Sequence, residues 1–299
     1  MGESPREQTR TRQPGRVRAG TPVTARRERM DAFHGSFAAC HWHEELEFLA
    51  VTAGTMLCRT DGQLHRLETG SGMMFNAGIP HMCYPETGRG AEYLSVWIHP
   101  RLLAGGPDSA LERQYLGPFT RAQGLAALPF RRDGAGWRQK AWETCLAMEP
   151  LLAELGYGCE LEAAGLATCL LAAILPEVRE AMEHPGSALG PQRLKGLLNW
   201  LHSHYAETLN LTNMSEALGV SREGCCRLFR RELGMTISQY LAAYRVVQSV
   251  PMMLEGGCSV LEAADRVGFS NASRFAAAFR LQMGFTPKQY LNRVTATRR

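Results

Sequence analysis

Between residues 45 and 100 the apolar residues come in short runs separated by turn formers. ELEFLAV (45–51), TMLCRT (55–60), QLHRL (63–67), GMMFNAGIPH (72–81) and EYLSVWIHP (92–100) each read as a strand. Asp61-Gly62 supplies the positive φ that a two-residue hairpin needs. Many short strands with turns between them predict a small barrel or sandwich. From residue 137 the period becomes helical, in WRQKAWETCLAMEPLLAELG and again in ELEAAGLATCLLAAILPEVREAMEH, with Pro176 inside or between segments. PGSALGPQ (185–192) reads as a linker, and the chain beyond it is helical again. Residues 1–30 are rich in Arg, Pro, Gly and Thr without a hydrophobic period, which predicts a disordered basic tail.

The last hundred residues contain an internal repeat. Gly219 and Ser221 recur 49 residues later as Gly268 and Ser270. Phe229, Arg230, Gly234, Thr236, Gln239, Tyr240 and Leu241 recur 50 residues later as Phe279, Arg280, Gly284, Thr286, Gln289, Tyr290 and Leu291. The step in offset implies one extra residue between Ser270 and Phe279. Each copy reads as a short helix, a glycine turn and a second helix, capped by Ser221 in the first and Ser270 in the second. At 100° per residue Cys225, Leu228, Phe229 and Glu232 share one side of the first copy's second helix, and Phe275, Ala278 and Phe279 share one side of the second's. The opposite sides present Glu223, Cys226, Arg227 and Arg230, then Ser273, Arg274, Ala277 and Arg280. Exposed arginine on a groove-sized helix can read guanine or grip phosphate.

Charge sharpens this picture. The net charge is only +4, but residues 31–192 hold 11 basic and 19 acidic side chains, whereas residues 193–299 hold 14 and 7. A basic C-terminal third beside an acidic middle predicts a polyanionic partner for that third. Nine cysteines without a CxxC pair, and no visible signal peptide, predict free thiols and a cytoplasmic setting. The longest apolar run, residues 163–176, is shorter than a bilayer span and ends in proline, which predicts a buried helix and no membrane partner.

One short stretch carries different chemistry. In HWHEELE (41–47) a regular strand would point His41, His43 and Glu47 to one face, and His81 could join them. Imidazole and carboxylate suit a divalent ion such as zinc, nickel, iron or manganese. The same side chains could instead line a metal-free effector pocket.

The residues just quoted resemble two families. SVLEAADRVGFSNASRFAAAFRLQMGFTPKQY (259–290) is similar nearly throughout to the second helix-turn-helix signature of AraC/XylS-type transcription regulators, and ALGVSREGCCRLFRRELGMTISQYL (217–241) resembles the first unit less completely. The resemblance implies two recognition helices joined by one long helix. It places Arg222, Glu223, Cys226 and Arg227, then Ala272, Ser273, Arg274 and Ala277, against bases, and Arg230 and Arg280 against phosphate. Gly35, His41, His43, Glu47 and Gly54 fit the spacing of the first cupin motif. Gly70, Asn76, Ala77, Gly78 and His81 fit the second, with Asn76 in place of a usual proline and Pro85 where that motif ends in asparagine.

The expected architecture is α+β. A disordered tail (1–30) precedes a cupin-like β-barrel sensor (31–135), a helical dimerisation segment (136–184), a linker (185–192) and an all-α DNA-binding domain with two helix-turn-helix units (193–299). The expected function is sequence-specific regulation of transcription by a homodimer. Its partners are double-stranded DNA, a small-molecule or metal effector and, for an activator, RNA polymerase. The rival is a cupin metalloenzyme of dioxygenase or isomerase type with a secondary DNA-binding module. Two residues depart from the family pattern. Gly224 costs its helix about 1 kcal/mol relative to alanine. Pro251 in the connecting helix predicts a kink or break near 247–251, since an interior proline costs roughly 3 kcal/mol. Cys225, on the core face, reads as structural; His65, His99, His184, His202 and His204 read as surface or packing residues; and Trp42 and Trp97 are candidates to wall the barrel.

Overall fold

The computed structural model describes residues 22–30, 39–86, 90–104, 109–122, 124–154, 156–183, 189–254 and 257–297. The predicted tail at 1–21, Gly35, His184 and the linker residues 185–188 lie outside the described residues.

The organising element of the N-terminal half is β2 (Leu46–Thr60), a single strand where two were expected. Its register slips between Val51 and Ala53, and Gly54 adopts φ +79°, where an added Cβ would sit 2.0 Å from the Gly90 carbonyl oxygen. The slip bends the strand so that it serves two sheets. Its first half pairs antiparallel with β4 (Ser71–Phe75) and β6 (Ala91–Ile98). Its second half pairs with β3 (Gln63–Glu68) and β5 (His81–Pro85). The order of the larger sheet is β1-β6-β2-β4-β7, with β1 at Val23–Met30 and β7 at Ala127–Arg131. Asp61 and Gly62 take φ +49° and +72° in the β2–β3 turn, as a two-residue hairpin requires.

Both faces of β2 are buried, for different reasons. Leu46, Phe48 and Ala50 point outward into a core shared with α3 (Trp137–Glu154) and α4 (Cys159–Glu183). Leu49 and Val51 point inward, where Met56, Cys58, Leu67, Met73, Phe75, Cys83 and Tyr93 fill the space between the sheets. Short helices α1 (Arg101–Ala104) and α2 (Gly117–Arg121) contribute Leu103 and Phe119 to the outer core.

Several expectations need correction. Residues 23–30 are not tail: Val23–Met30 form β1, paired along its length with β6. Backbone pairing and Arg27, which binds Glu149 of α3, hold this charged edge strand, so it needs no apolar alternation. HWHEELE is not a regular strand: His41 makes an isolated bridge to His81 and β2 starts at Leu46. The expected linker overlaps a helix, because α5 (Leu189–Ser203) begins before residue 192 and carries Pro191 in its first turn, where no backbone donor is needed. Of the two placements left open for Pro176, the structure shows the first: it lies inside α4, which continues to Glu183 with Ile174 and Val178 buried on either side of it. That makes α4 long and apolar enough to cross a membrane by length and composition, and it packs one face into the core.

The C-terminal half is built from α5, α6 (Leu211–Leu218), α7 (Arg222–Leu233), α8 (Ile237–Leu254), α9 (Val260–Arg266), α10 (Ala272–Met283) and α11 (Pro287–Thr297). The helix pairs α6–α7 and α9–α10 are the two helix-turn-helix units. Each has its own core, and α8 supplies Tyr240, Ala243 and Tyr244 to the first and Val246 and Met253 to the second. The break expected near Pro251 does not occur; α8 is continuous to Leu254. Only its last turn follows the proline, and Val250, Met253 and Leu254 pack into the second core and hold that turn.

The repeat now has a structural meaning. Gly234 and Gly284 end α7 and α10 in left-handed conformation. Thr236 with Gln239, and Thr286 with Gln289, make reciprocal capping pairs at the next helices. Phe229 meets Tyr240 edge-on at 5.2 Å, and Phe279 meets Tyr290 at 5.6 Å. The expected cap Ser270 is corrected: Asn271 caps α10, accepting from the Ser273 and Arg274 N–H groups. Asn271 lies 50 residues after Ser221, so the step in offset falls in the turn after Gly268 and not between Ser270 and Phe279.

Candidate functional site

Two surfaces carry chemistry. The first is the outer side of α7 and α10. Arg222, Glu223, Cys226, Arg227 and Arg230 are exposed on α7, and Ala272, Ser273, Arg274, Ala277 and Arg280 are exposed on α10. Cys225, Leu228, Phe229 and Glu232 are buried on the inner side of α7, and Phe275 and Phe279 on that of α10. Gly224 has a local reason. Its N–H is held by the Ser221 cap at 3.1 Å, and a Cβ there would sit 3.0 Å from Val220 and 3.1 Å from that cap oxygen.

The second lies where the start of β2 meets the start of β5. Although the 41–47 segment is irregular, ligand atoms of His41, His43, Glu47 and His81 lie within 4.8 Å of one another. The ring Nδ1 atoms of the three histidines each meet a backbone carbonyl: Ala39 for His41 at 3.1 Å, Glu45 for His43 at 3.0 Å, Ile79 for His81 at 2.9 Å. A carbonyl only accepts, so each Nδ1 carries the hydrogen. In the neutral ring Nε2 is then a bare lone pair. The Nε2 atoms of His43 and His81 both stand 3.1 Å from one Glu47 oxygen, Oε2. Lone pairs facing a carboxylate repel unless a cation, either a proton or a metal ion, lies among them. This is the arrangement by which outer partners fix the tautomer of metal-binding histidines.

The electrostatics follow the geometry. Burial alone would raise Glu47, but hydrogen bonds from His43 and His81 and their charge hold it well below the ordinary carboxylate value. Burial pulls His43 down, and the hydrogen bond and charge of Glu47 outweigh it, leaving the ring above its ordinary value. His41 is pushed down to about 3 by burial and then by His81.

Two supporting residues were missed from sequence. Ser95 donates to Glu47 Oε1 at 2.9 Å, and Phe75 stacks on the His81 ring at 4.3 Å. Ser95 had a signal, since it is a lone small polar residue in the apolar run YLSVWI; Phe75 had none.

Other assignments also fall into place. Trp42 does not wall the barrel; it packs against the C-terminal core, with Lys195 Nζ 5.8 Å above its ring. His202 stacks on Tyr244, and His204 on Trp200. His99 accepts from the Arg101 N–H.

The cluster adjoins the C-terminal helical half directly. Cys40 and Met82, next in sequence to His41 and His81, are 1% exposed and belong to the same core as Leu194, Leu197, Phe229 and Tyr240. The backbone of Cys40 is hydrogen-bonded to the Tyr240 hydroxyl. The β2–β3 turn reaches α7 as well, since a Cβ on Gly62 would sit 3.3 Å from the Arg231 carbonyl oxygen.

An AraC-like ligand binding domain matches residues 30–168 and a helix-turn-helix domain matches residues 214–293. The uncharacterized HTH-type transcriptional regulator YdeC of Bacillus subtilis is 24% identical over 90% of this chain and 91% of its own. The HTH-type transcriptional activator RhaS of Salmonella arizonae is 23% identical over 83% and 85%. A crystal structure of ToxT from Vibrio cholerae covers 90% of this chain and 98% of its own, with 12% identity and a TM-score of 0.48. With a ligand-binding domain and a helix-turn-helix domain matched in that order over most of its length, the chain belongs to the AraC-type transcription regulators.

Proposed function

We propose that this regulator senses a divalent metal ion at His41, His43, Glu47 and His81 and transmits its binding to the two recognition helices. The single observation that carries the reading is the anchoring of all three Nδ1 atoms on carbonyls, which presents Nε2 lone pairs beside a carboxylate. Those donors suit zinc, nickel, iron or manganese. The barrel beneath the cluster is filled by Phe75, Met56, Met73 and other apolar side chains, which favours an effector as small as an ion. The metal acts here as a signal, so the chain works as a regulator and not as an enzyme.

The DNA face comprises the ten exposed residues of α7 and α10 named above. Arg227 and Arg274 read bases, and Arg230 and Arg280 hold phosphate. Two copies of the chain pair along the outer side of α4, where Leu161, Gly165, Thr168, Cys169 and Ala172 are accessible and mostly small. Since RhaS is described as an activator, activation through RNA polymerase in the cytoplasm is the proposed mode.

The test combines elemental analysis with DNA binding. Wild-type protein should hold one ion per chain, and His43→Ala and His81→Ala should lose it. Arg227→Ala and Arg274→Ala should each weaken specific DNA binding by about 1–3 kcal/mol. DNA affinity that is the same with and without each of the four metals would overturn the sensing reading. Unchanged affinity in both arginine variants would overturn the assigned faces.

A further inference from the structure

We infer that Cys58 and Cys83, inside the barrel, are a dithiol that closes reversibly to a disulfide on oxidation by a peroxide. The ladder sets the two residues up for this. They are direct partners in the β2–β5 pairing, and their sulfurs lie 2.7 Å apart in the interior. The backbone adds an independent argument. His81 spends both its N–H and its C=O on His41, at 2.9 and 3.0 Å. In an antiparallel ladder a residue directs both groups to the same neighbour, and the residue two further on repeats that orientation. Cys83 therefore turns its backbone away from β2, and it faces Cys58 as a non-hydrogen-bonded pair. Cα atoms in such pairs are about 4.5 Å apart, inside the range of roughly 4.4–6.8 Å that disulfides span. The two Cβ atoms already point to one side, so closure needs a small approach of the sulfurs and no rearrangement of strands.

The chemistry balances with one peroxide. Both thiols are buried, Cys83 at 7% exposed and Cys58 at 0%, so Cys83 is the more accessible. Burial and then Cys58 raise its thiol well above the ordinary value, so it reacts slowly, through its small thiolate fraction. The Cys83 sulfur attacks a peroxide oxygen, the O–O bond breaks, and a sulfenic acid and one water result. The Cys58 sulfur then displaces the hydroxyl, forming the S–S bond and releasing a second water. Two S–H bonds are lost, the two sulfurs give up two electrons in all, and the peroxide takes them. A thiol reductant reverses the step. The bond would join the second half of β2 to β5, the strand that begins with His81. The inference stands on the pairing of the strands and holds whether or not the cluster binds an ion.

The test uses the full chain in its native state. Protein is treated with hydrogen peroxide, unfolded, alkylated and mapped by peptide mass spectrometry. The expected result is joint loss of the alkylated Cys58 and Cys83 peptides. One linked species should replace them, lighter than their sum by two hydrogens and converted back by a thiol reductant. Oxidised wild-type protein should melt at a higher temperature than reduced protein, and Cys58→Ala and Cys83→Ala should abolish that rise. The wild-type map does not depend on how well either variant folds. Full alkylation of both cysteines, under conditions where exposed Cys226 has been oxidised, would show two thiols that merely pack.

Discussion

Gly219 and Gly268 end the first helices of the two units, yet their surroundings differ. Both have positive φ, +60° and +86°. A Cβ on Gly219 would meet nothing within 4 Å, whereas one on Gly268 would sit 2.3 Å from the Ala206 carbonyl oxygen. That carbonyl cannot easily retreat, because Arg245 grips the same segment through the Tyr205 and Glu207 carbonyls, each at 2.6 Å. Gly219→Ala should therefore cost about 1–2 kcal/mol, the price of a left-handed L-residue. Gly268→Ala should cost clearly more, since a backbone clash adds to that strain. Urea denaturation of the two variants checks the order, and equal losses would show that the segment yields. At this scale the sequence was easy to read where conformation alone decides. The turn glycines, Asp61-Gly62 and the Ser221 cap were all visible. Asn271 was not, because serine and asparagine cap about equally well and NAS and SNA look alike until the backbone turns. The carbonyls behind the three histidines were also hidden, since nothing in a sequence records where a backbone oxygen points.

Among the elements, α5 and α8 are joined by a titratable contact. His202 stacks on Tyr244 at 4.2 Å, its Nε2 is 2.9 Å from the Tyr240 hydroxyl, and burial lowers its pKa to about 4. The unfolded chain takes up this proton first, near pH 6.5, while the folded chain resists it until about 4. The contribution to stability is thus fully present above about pH 6.5 and is lost as pH falls towards 4, by at most about 3 kcal/mol. The stability difference between wild type and His202→Gln, measured by denaturation at pH 7.5 and pH 5, should shrink or reverse at the lower pH; a constant difference would mean that the ring titrates freely. Element boundaries were legible where burial imposes a period, as in α7 and α10. They were hidden where another force dominates. VTARRERM joins the sheet through backbone bonds and an ion pair, so β1 left no apolar alternation to find. Pro251 suggests a break and Pro176 leaves one open, but buried neighbours hold both helices together.

On the scale of the whole molecule, the two candidate surfaces are separated by very little protein. His41 and His81 belong to the cluster with His43 and Glu47, and their neighbours Cys40 and Met82 face the core of the first helix-turn-helix unit. A displacement of this strand pair by a bound ion would press directly on Tyr240 and Phe229, which set the position of α7. Linkage requires that such coupling work in both directions: if the ion changes DNA affinity by some factor, DNA changes ion affinity by the same factor. The factor is typically worth about 1–3 kcal/mol. Met82→Ala should leave the four ligands and the DNA face in place while loosening the contact between them, at a stability cost of about 2–5 kcal/mol for a buried methionine. The expected outcome is an ion stoichiometry close to wild type, with DNA affinity that no longer depends on the ion. Isothermal titration of metal with and without operator DNA, on wild type and variant, measures both sides of the cycle. If Met82→Ala keeps the full wild-type ratio, the signal does not pass through this strand pair. The Asp61–Gly62 turn against Arg231 would then be the next contact to cut.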